Sequence, residues 1–265
     1  MPIIHIDRPN TPGTEPFWNL TQPHMHASGD MARQFVVAES PKVIRTALQA
    51  GCEPVALLCE EKHLEGDAAD LVKAMGQRPV YTGPRQVLAN MTGYTLTRGV
   101  LCAMKRPQLP SLPTVCQSAR RLVVICGVTD TTNIGAMFRS AAALGADGIV
   151  LTRDSCDPFN RRSIRVSMGS AFLVPWTWVD HPVDDLRAQG FHTVAMALRH
   201  DSVALDDPRL AAHGKLALIM GTEGDGLPDE VINAADDVVR IPMARGIDSL
   251  NVAAAMAVAV WQLRV

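Results

Sequence analysis

Apolar positions fall in short blocks along the chain, and the blocks are of two kinds. Short blocks dominated by apolar residues occur at 35–38, 55–59, 80–81, 100–103, 122–126, 148–151, 192–196, 216–220 and 238–241. Runs this short, bounded by polar and turn-forming residues, predict strands. The run 122–126, Leu-Val-Val-Ile-Cys, has no polar alternation, as expected of a parallel strand buried on both faces. Longer segments with helical spacing lie between them. Ser40 and Pro41 form an N-cap and first-position pair that opens a helix over 42–50, closed by Gly51. A second helix, 68–75, is closed by Gly76, and further helices are predicted at 134–144 and 250–265. Strands alternating with helices imply an α/β fold with a parallel sheet covered on both faces. No internal repeat is visible.

The pattern also divides the chain. Residues 1–29 are rich in Pro, Thr, Asn and His without sustained periodicity and read as an extended arm. His24 and His26 lack nearby further ligands and read as a solvent-facing pair rather than a metal site. A small alternating domain occupies 30–105. Pro107, Pro110 and Pro113 make 106–118 a stiff linker, and a second α/β domain fills 119–265.

Composition narrows the classes. Hydrophobic residues make up 47% and charged residues 20%, which fits an ordered globular chain. Aromatics are only 5%, so the core must rest on Ala, Val, Leu, Ile and Met. No apolar stretch approaches the ~20 residues of a membrane helix. The nearest, 250–265, is interrupted by Asn251, Gln262 and Arg264. The N-terminus has no basic region followed by an apolar run, so no secretory signal is expected, no membrane partner is implied, and the cytoplasm is the default location. The six cysteines, Cys52, Cys59, Cys102, Cys116, Cys126 and Cys156, form no C-x-x-C pair and read as buried free thiols. A net charge of −2 does not favour a nucleic-acid partner, but Arg120, Arg121, Arg139, Arg153, Arg161, Arg162 and Arg165 crowd one stretch.

Three constellations carry candidate chemistry. The first, Asp130-Thr131-Thr132-Asn133 through Arg139, follows a buried strand and opens a helix. Asn133 and the threonines are expected to cap its free amides. Arg139 sits about one and a half turns further in, among Ala136, Ala142, Ala143 and Leu144. The second, Met220-Gly221-Thr222-Glu223-Gly224-Asp225-Gly226-Leu227, is a glycine-rich turn after a buried strand. It is neither G-x-G-x-x-G nor a Walker loop, and its two acids suit a neutral or cationic ligand better than a phosphate. The third runs from Ile241 to Ala255, with Ser249 as expected N-cap of the last helix and Asn251 in its first turn. Each constellation alone also fits an ordinary capped helix or a solvated loop.

Together, in this order and at these intervals, they resemble the RNA 2′-O-ribose methyltransferases of the SPOUT superfamily, the SpoU or TrmH-like group. The resemblance spans residues 120–265, and residues 34–104 are similar to the L30e-like substrate-binding domain that many members carry. Thr131 stands where the family often has proline, and Ala253 where it usually has serine. The resemblance implies a C-terminal parallel-sheet domain with a deep trefoil knot, a homodimer, and bound S-adenosylmethionine with no metal. It implies catalytic roles for Arg139, Asn133, Glu223, Ser249 and Asn251. It places the cofactor near Met220, Gly221, Gly226, Ile241, Met243, Ser249 and Leu250. RNA phosphates are expected to meet Arg161, Arg162 and Arg165. The expected reaction is methyl transfer to a ribose 2′-hydroxyl of RNA, with 23S ribosomal RNA favoured. The alternatives are a transfer-RNA 2′-O-methyltransferase or an inactive RNA-binding relative. An NAD-type dinucleotide enzyme lacks its glycine fingerprint, and a serine hydrolase lacks the G-x-S-x-G elbow.

Overall fold

The computed structural model describes residues 2–20 and 34–264. His24 and His26 lie outside the described residues. The chain divides into two compact units, Met1–Gln108 with Phe159–Leu173, and Leu109–Pro158 with Val174–Val265. The sequence placed Phe159–Leu173 in the second domain. Its helix, Arg161–Val166, instead packs on the Phe35–Glu39 strand of the first unit.

The first unit is built on a five-stranded sheet: β1 (Ile3–His5), β2 (Phe35–Glu39), β3 (Pro54–Glu60), β4 (Val80–Gly83) and β5 (Val100–Lys105). The strand order is β1-β4-β3-β5-β2. β4 is parallel to β1 and β3, and β5 is antiparallel to β3 and β2. Part of the expected arm is therefore sheet. Ile3–His5 pairs with Val80, Tyr81 and Thr82, and Ile6, Phe17 and Leu20 are buried with Leu58, Leu88 and Met91. Three residues are too few to show periodicity, which is why β1 is invisible in the sequence. The Pro41–Gln49 helix forms as predicted, with Ser40 Oγ accepting from Val43 N. The Arg85–Thr92 helix, not anticipated, ends on Gly93 in the left-handed conformation at φ 83°.

The second unit carries seven parallel strands: β6 (Arg121–Ile125), β7 (Gly148–Thr152), β8 (Trp176–Val179), β9 (His192–Met196), β10 (Val203–Ala204), β11 (Leu216–Met220) and β12 (Asp237–Arg240). Their order is β10-β12-β9-β11-β6-β7-β8. β6 and β11 are fully buried at the centre, as their unbroken apolar runs require. Side chains alternate between faces. One face of the sheet, with Val124, Val150, Ala217 and Ile219, packs against Leu186, Leu227 and Ile232 from the Pro182–Ala188 and Asp229–Ala234 side. The opposite face is covered by the Thr131–Leu144 and Val252–Gln262 helices, which also pack on each other. β8 and β10 were not predicted; β8 is anchored by Trp176, whose ring meets Phe138 edge-on at 6.0 Å.

All six cysteines are free. Cys59, Cys102, Cys116 and Cys126 are buried, and burial pushes the Cys59, Cys102 and Cys126 thiols up to about 12. Such thiols stay protonated and chemically quiet at neutral pH.

Candidate active site

In a parallel sheet the ends of all strands face the same edge, and ligands collect at the carboxyl ends. That edge holds the three constellations. β6 leads into the Thr131–Leu144 helix, β11 into the glycine turn, and β12 into the segment before the Val252–Gln262 helix.

The first helix begins earlier than expected. Asp130, not Asn133, is its N-cap, and Asp130 Oδ1 accepts from Thr132 N at 2.6 Å and Asn133 N at 2.9 Å. Both residue types cap well, so the sequence left the choice open. The consequence is functional: Asn133's amide is released from capping and turns to the neighbouring loop. Thr131 occupies the first helical position, where a proline would also fit because no amide partner is needed there.

The glycine turn is shaped by close backbone approach. A Cβ on Gly221 would stand 2.3 Å from the Gly226 carbonyl carbon, so no larger residue fits. Thr222 N donates to Gly226 O at 3.0 Å, closing a tight loop with Gly224 at φ 95° and Gly226 at φ 73°. Glu223 lies in this loop.

The last helix is capped by Asn251 rather than by Ser249. Asn251 Oδ1 accepts from Ala253 N at 3.0 Å and Ala254 N at 3.4 Å. The helix starts at Val252, its first buried side chain, three residues beyond the exposed Ser249. Ala253 contributes its backbone N–H to this cap, so the missing serine hydroxyl is not needed for it.

These three turns meet. With its oxygen committed to the cap, Asn251 directs its Nδ2 outward. It donates to Asn133 Oδ1 at 2.9 Å and to Glu223 Oε1. Asn133 Nδ2 donates to the other oxygen, Glu223 Oε2, at 3.2 Å. Asn133, Glu223 and Asn251, distant in sequence, thus form one closed hydrogen-bonded cluster. Arg139 lies six residues beyond Asn133, about 9 Å along the helix. Its side chain is exposed and has no hydrogen bond or ion pair among the described residues.

Two members of the cluster, Glu223 and Asn251, line a cavity of about 690 Å³, which Asn133 and Arg139 themselves do not line. Met220, Gly221, Gly226, Ile241, Met243, Ser249 and Leu250 all line it, together with Glu223 and Asn251. The structure therefore brings every residue expected near the cofactor to one cavity. Sequence reasoning missed Met196, Ala197 and Leu198, which line the same space from the end of β9. No motif marks them; only the strand order places β9 beside β11.

The three arginines expected to meet RNA belong to the first unit and differ from one another. Arg161 is turned inward: its Nη1 bonds Glu39 Oε2 at 2.5 Å and Tyr94 Oη at 2.9 Å, and its guanidinium lies 4.4 Å from the Tyr94 ring centre. Glu39 is 1% exposed, so this is a buried ion pair that holds the unit together. Arg161 is not free to bind a phosphate while that pair is intact. Arg162 and Arg165 are exposed, with Arg165 3.6 Å from Glu39.

Comparison with known proteins agrees with this architecture. Residues 120–261 match the SpoU rRNA Methylase family. An uncharacterized tRNA/rRNA methyltransferase of Mycobacterium bovis is 36% identical over 258 residues, covering 96% of this chain and 89% of that protein. The Bacillus subtilis 23S rRNA (guanosine(2553)-2′-O)-methyltransferase RlmP is 30% identical over 220 residues, covering 78% of this chain and 88% of the relative. Among solved structures, an AdoMet-bound rRNA methyltransferase from Sinorhizobium meliloti superposes with a TM-score of 0.81 at 28% identity, covering 99% of this chain and 97% of that one.

Proposed function

The chain belongs to the SpoU rRNA methylase family, and on that premise we propose that it transfers a methyl group from S-adenosylmethionine to a ribose 2′-hydroxyl of ribosomal RNA. The observation that carries this reading is the Asn133–Glu223–Asn251 cluster, two of whose members line the 690 Å³ cavity.

The cavity suits the cofactor. Its volume lies in the ordinary range for small-molecule sites, about 300–1,000 Å³. Gly221, where a side chain would strike backbone, and Gly226 keep the wall low enough for main-chain groups to reach a ligand. Glu223, Asp225, Asp229 and Asp248 line it against one cation, Arg240, which is bonded to Ser202, a balance that favours a cationic ligand. The bound cofactor supplies an electrophilic methyl on a positively charged sulfur, so the transfer itself requires no metal.

The protein must then help a weak nucleophile. A ribose hydroxyl is mostly protonated at neutral pH, so the site has to orient it and stabilise negative charge as it develops. Arg139 provides that charge. A guanidinium keeps its proton throughout the physiological range, which makes it a stabiliser of the alkoxide or a grip on the adjacent phosphate, not a base. With no side-chain partner among the described residues, its donors are available to substrate. Glu223 fixes the two asparagine amides, and the second Nδ2 proton of Asn133 remains to be donated to the sugar. Ser249, on the cavity wall two residues before Asn251, adds a hydroxyl on the same side.

The reading includes a trefoil knot. β12 lies toward one edge of the sheet, whereas the helix that follows packs over central β6 and β11, so the chain doubles back across β9. It also includes a homodimer, supported by Val258 and Trp261, which are 42% and 56% exposed on the last helix. The first unit is read as the L30e-like RNA-binding part, with Arg162 and Arg165 facing phosphates. Among the described residues no helix is long and apolar enough to cross a membrane, in keeping with work on RNA in the cytoplasm.

The test is to incubate the protein with labelled S-adenosylmethionine and either ribosomal or transfer RNA. Label is expected in ribosomal RNA alone. Label in transfer RNA alone would move the substrate to that class, and cofactor binding without transfer to either would make the chain an inactive relative.

A further inference from the structure

His192, His213 and Asp237 are remote in sequence and meet at the opposite edge of the seven-stranded sheet from the cavity. His192 opens β9, Asp237 opens the neighbouring β12, and His213 stands in the turn that leads into β11. The register pairs Leu216 of β11 with His192, and Asp237 with Val194 two residues further on, so parallel pairing itself brings the three to one spot. The five-residue strands put this spot about 16 Å from the glycine turn.

The side chains converge. His192 Nε2 and Asp237 Oδ2 are 2.7 Å apart, and the His192 and His213 rings stack with centroids at 3.7 Å and planes within 8°. One ligand atom from each residue can be chosen so that all lie within 4.8 Å of one another. All three are half-buried, which leaves an entry path while limiting competition from water. The nearby cations are held elsewhere. Lys215 Nζ bonds the Cys116 and Gln189 carbonyls, Arg209 is paired with Asp207, and Arg121 donates to backbone carbonyls including those of His213 and Leu263.

We propose that His192, His213 and Asp237 form a binding site for a divalent, zinc-like cation at the amino-terminal edge of the sheet. Two imidazoles and one carboxylate match an open zinc-type donor set, with metal–ligand distances of about 2.0–2.2 Å and a fourth position for water. The His213 ring has no hydrogen bond among the described residues, so its rotation closes the set. A metal at His192 Nε2 would take the place of the hydrogen bond to Asp237, and two neutral rings with one carboxylate leave the bound dication with a net charge of +1. The metal ties together the starts of β9 and β12 and the turn before β11. It is structural, and it stands independently of the methyl-transfer reading.

The test uses the full chain, stripped with a chelator, then dialysed against Zn2+ or Co2+. One metal ion per chain is expected to remain, and the Co2+ form should show visible d–d bands without a thiolate charge-transfer band. His192→Gln, His213→Gln and Asp237→Asn should each weaken binding by roughly tenfold or more, since even changes to outer-sphere partners cost roughly 10–100-fold. Circular dichroism of each apo variant checks that it is folded. Failure to retain metal, equal retention by all three variants, or a thiolate band pointing to the cysteines would overturn the site.

Discussion

Asn251 uses both ends of its amide, one to cap a helix and one to hold Glu223 and Asn133. The two duties separate by substitution. Asn251→Asp keeps a good capping oxygen but removes both donors and sets a second carboxylate beside Glu223. It should therefore keep the cap while methyl transfer falls by roughly 100-fold or more. Asn251→Ala should also lose about 1 kcal/mol from the missing cap. Thermal melts and single-turnover transfer distinguish the pair. Residue types at caps were legible from sequence here; which of two eligible residues does the capping was not. Asp130 and Asn133, or Ser249 and Asn251, are chemically equivalent candidates; the last helix starts at its first buried side chain, Val252, whereas the first starts three residues ahead of its own, Ile134, so no single local rule decides. At the surface of the first unit, the two-pronged bond from Arg45 holds the Asp70 carboxyl down to about 2. A depressed carboxyl stabilises the fold above its unfolded value, near pH ~4, and loses that contribution as the pH falls through the folded value. Both partners are well exposed, so Asp70→Asn should cost less than about 1 kcal/mol at pH 7, with the difference from wild type vanishing near pH 2 in denaturant titrations.

Among elements, the Arg161–Val166 helix shows how identical residues take different work. Arg161 faces Glu39 and Tyr94, Arg162 faces solvent, and Arg165 is half exposed with a longer 3.6 Å ion pair to Glu39, a split set by helical rotation and by the position of β2. Replacing Arg162 and Arg165 with Gln should reduce the salt dependence of RNA binding, lowering the log–log slope by about 0.7–0.9 for each phosphate no longer neutralised. Arg161→Gln should act differently, lowering stability by leaving the buried Glu39 with only the more distant and exposed Arg165 as its charge partner. Filter binding across a salt series, with melts alongside, separates the effects. A run of arginines in sequence cannot reveal this division, because the buried partner, Glu39, lies 122 residues away. Strands with unbroken apolar runs, such as β6 and β11, were legible; two- to four-residue edge strands such as β1, β8 and β10 were not, since their places depend on a neighbour already in the sheet.

For the whole molecule, the apolar exposure of Val258 and Trp261 fits a covered face between two copies. Trp261→Glu should give a monomer by sedimentation, and methyl transfer should fall with it if the partner completes the site. A monomeric wild type would remove that part of the account. The ordered motifs of the second unit were readable in the sequence because each sits just after a strand, where the backbone must turn and residue choice is narrow. The second and third motifs line one cavity and the first joins them through Asn133, an arrangement that depends on strand order, which no local pattern encodes; Met196–Leu198 and the His192–His213–Asp237 group went unseen for that reason. The central claim is that this cavity presents a methyl group to a ribose hydroxyl beside Arg139. The most direct measurement is alkaline hydrolysis of RNA methylated by the wild type and by Arg139→Ala, with cofactor affinity measured in parallel. Because the 2′-hydroxyl is itself the nucleophile in alkaline cleavage, 2′-O-methylation leaves one resistant phosphodiester. The account predicts such a resistant dinucleotide with wild type, and its near-complete loss in Arg139→Ala despite intact cofactor binding. Label on a base, or full turnover without the guanidinium, would contradict it.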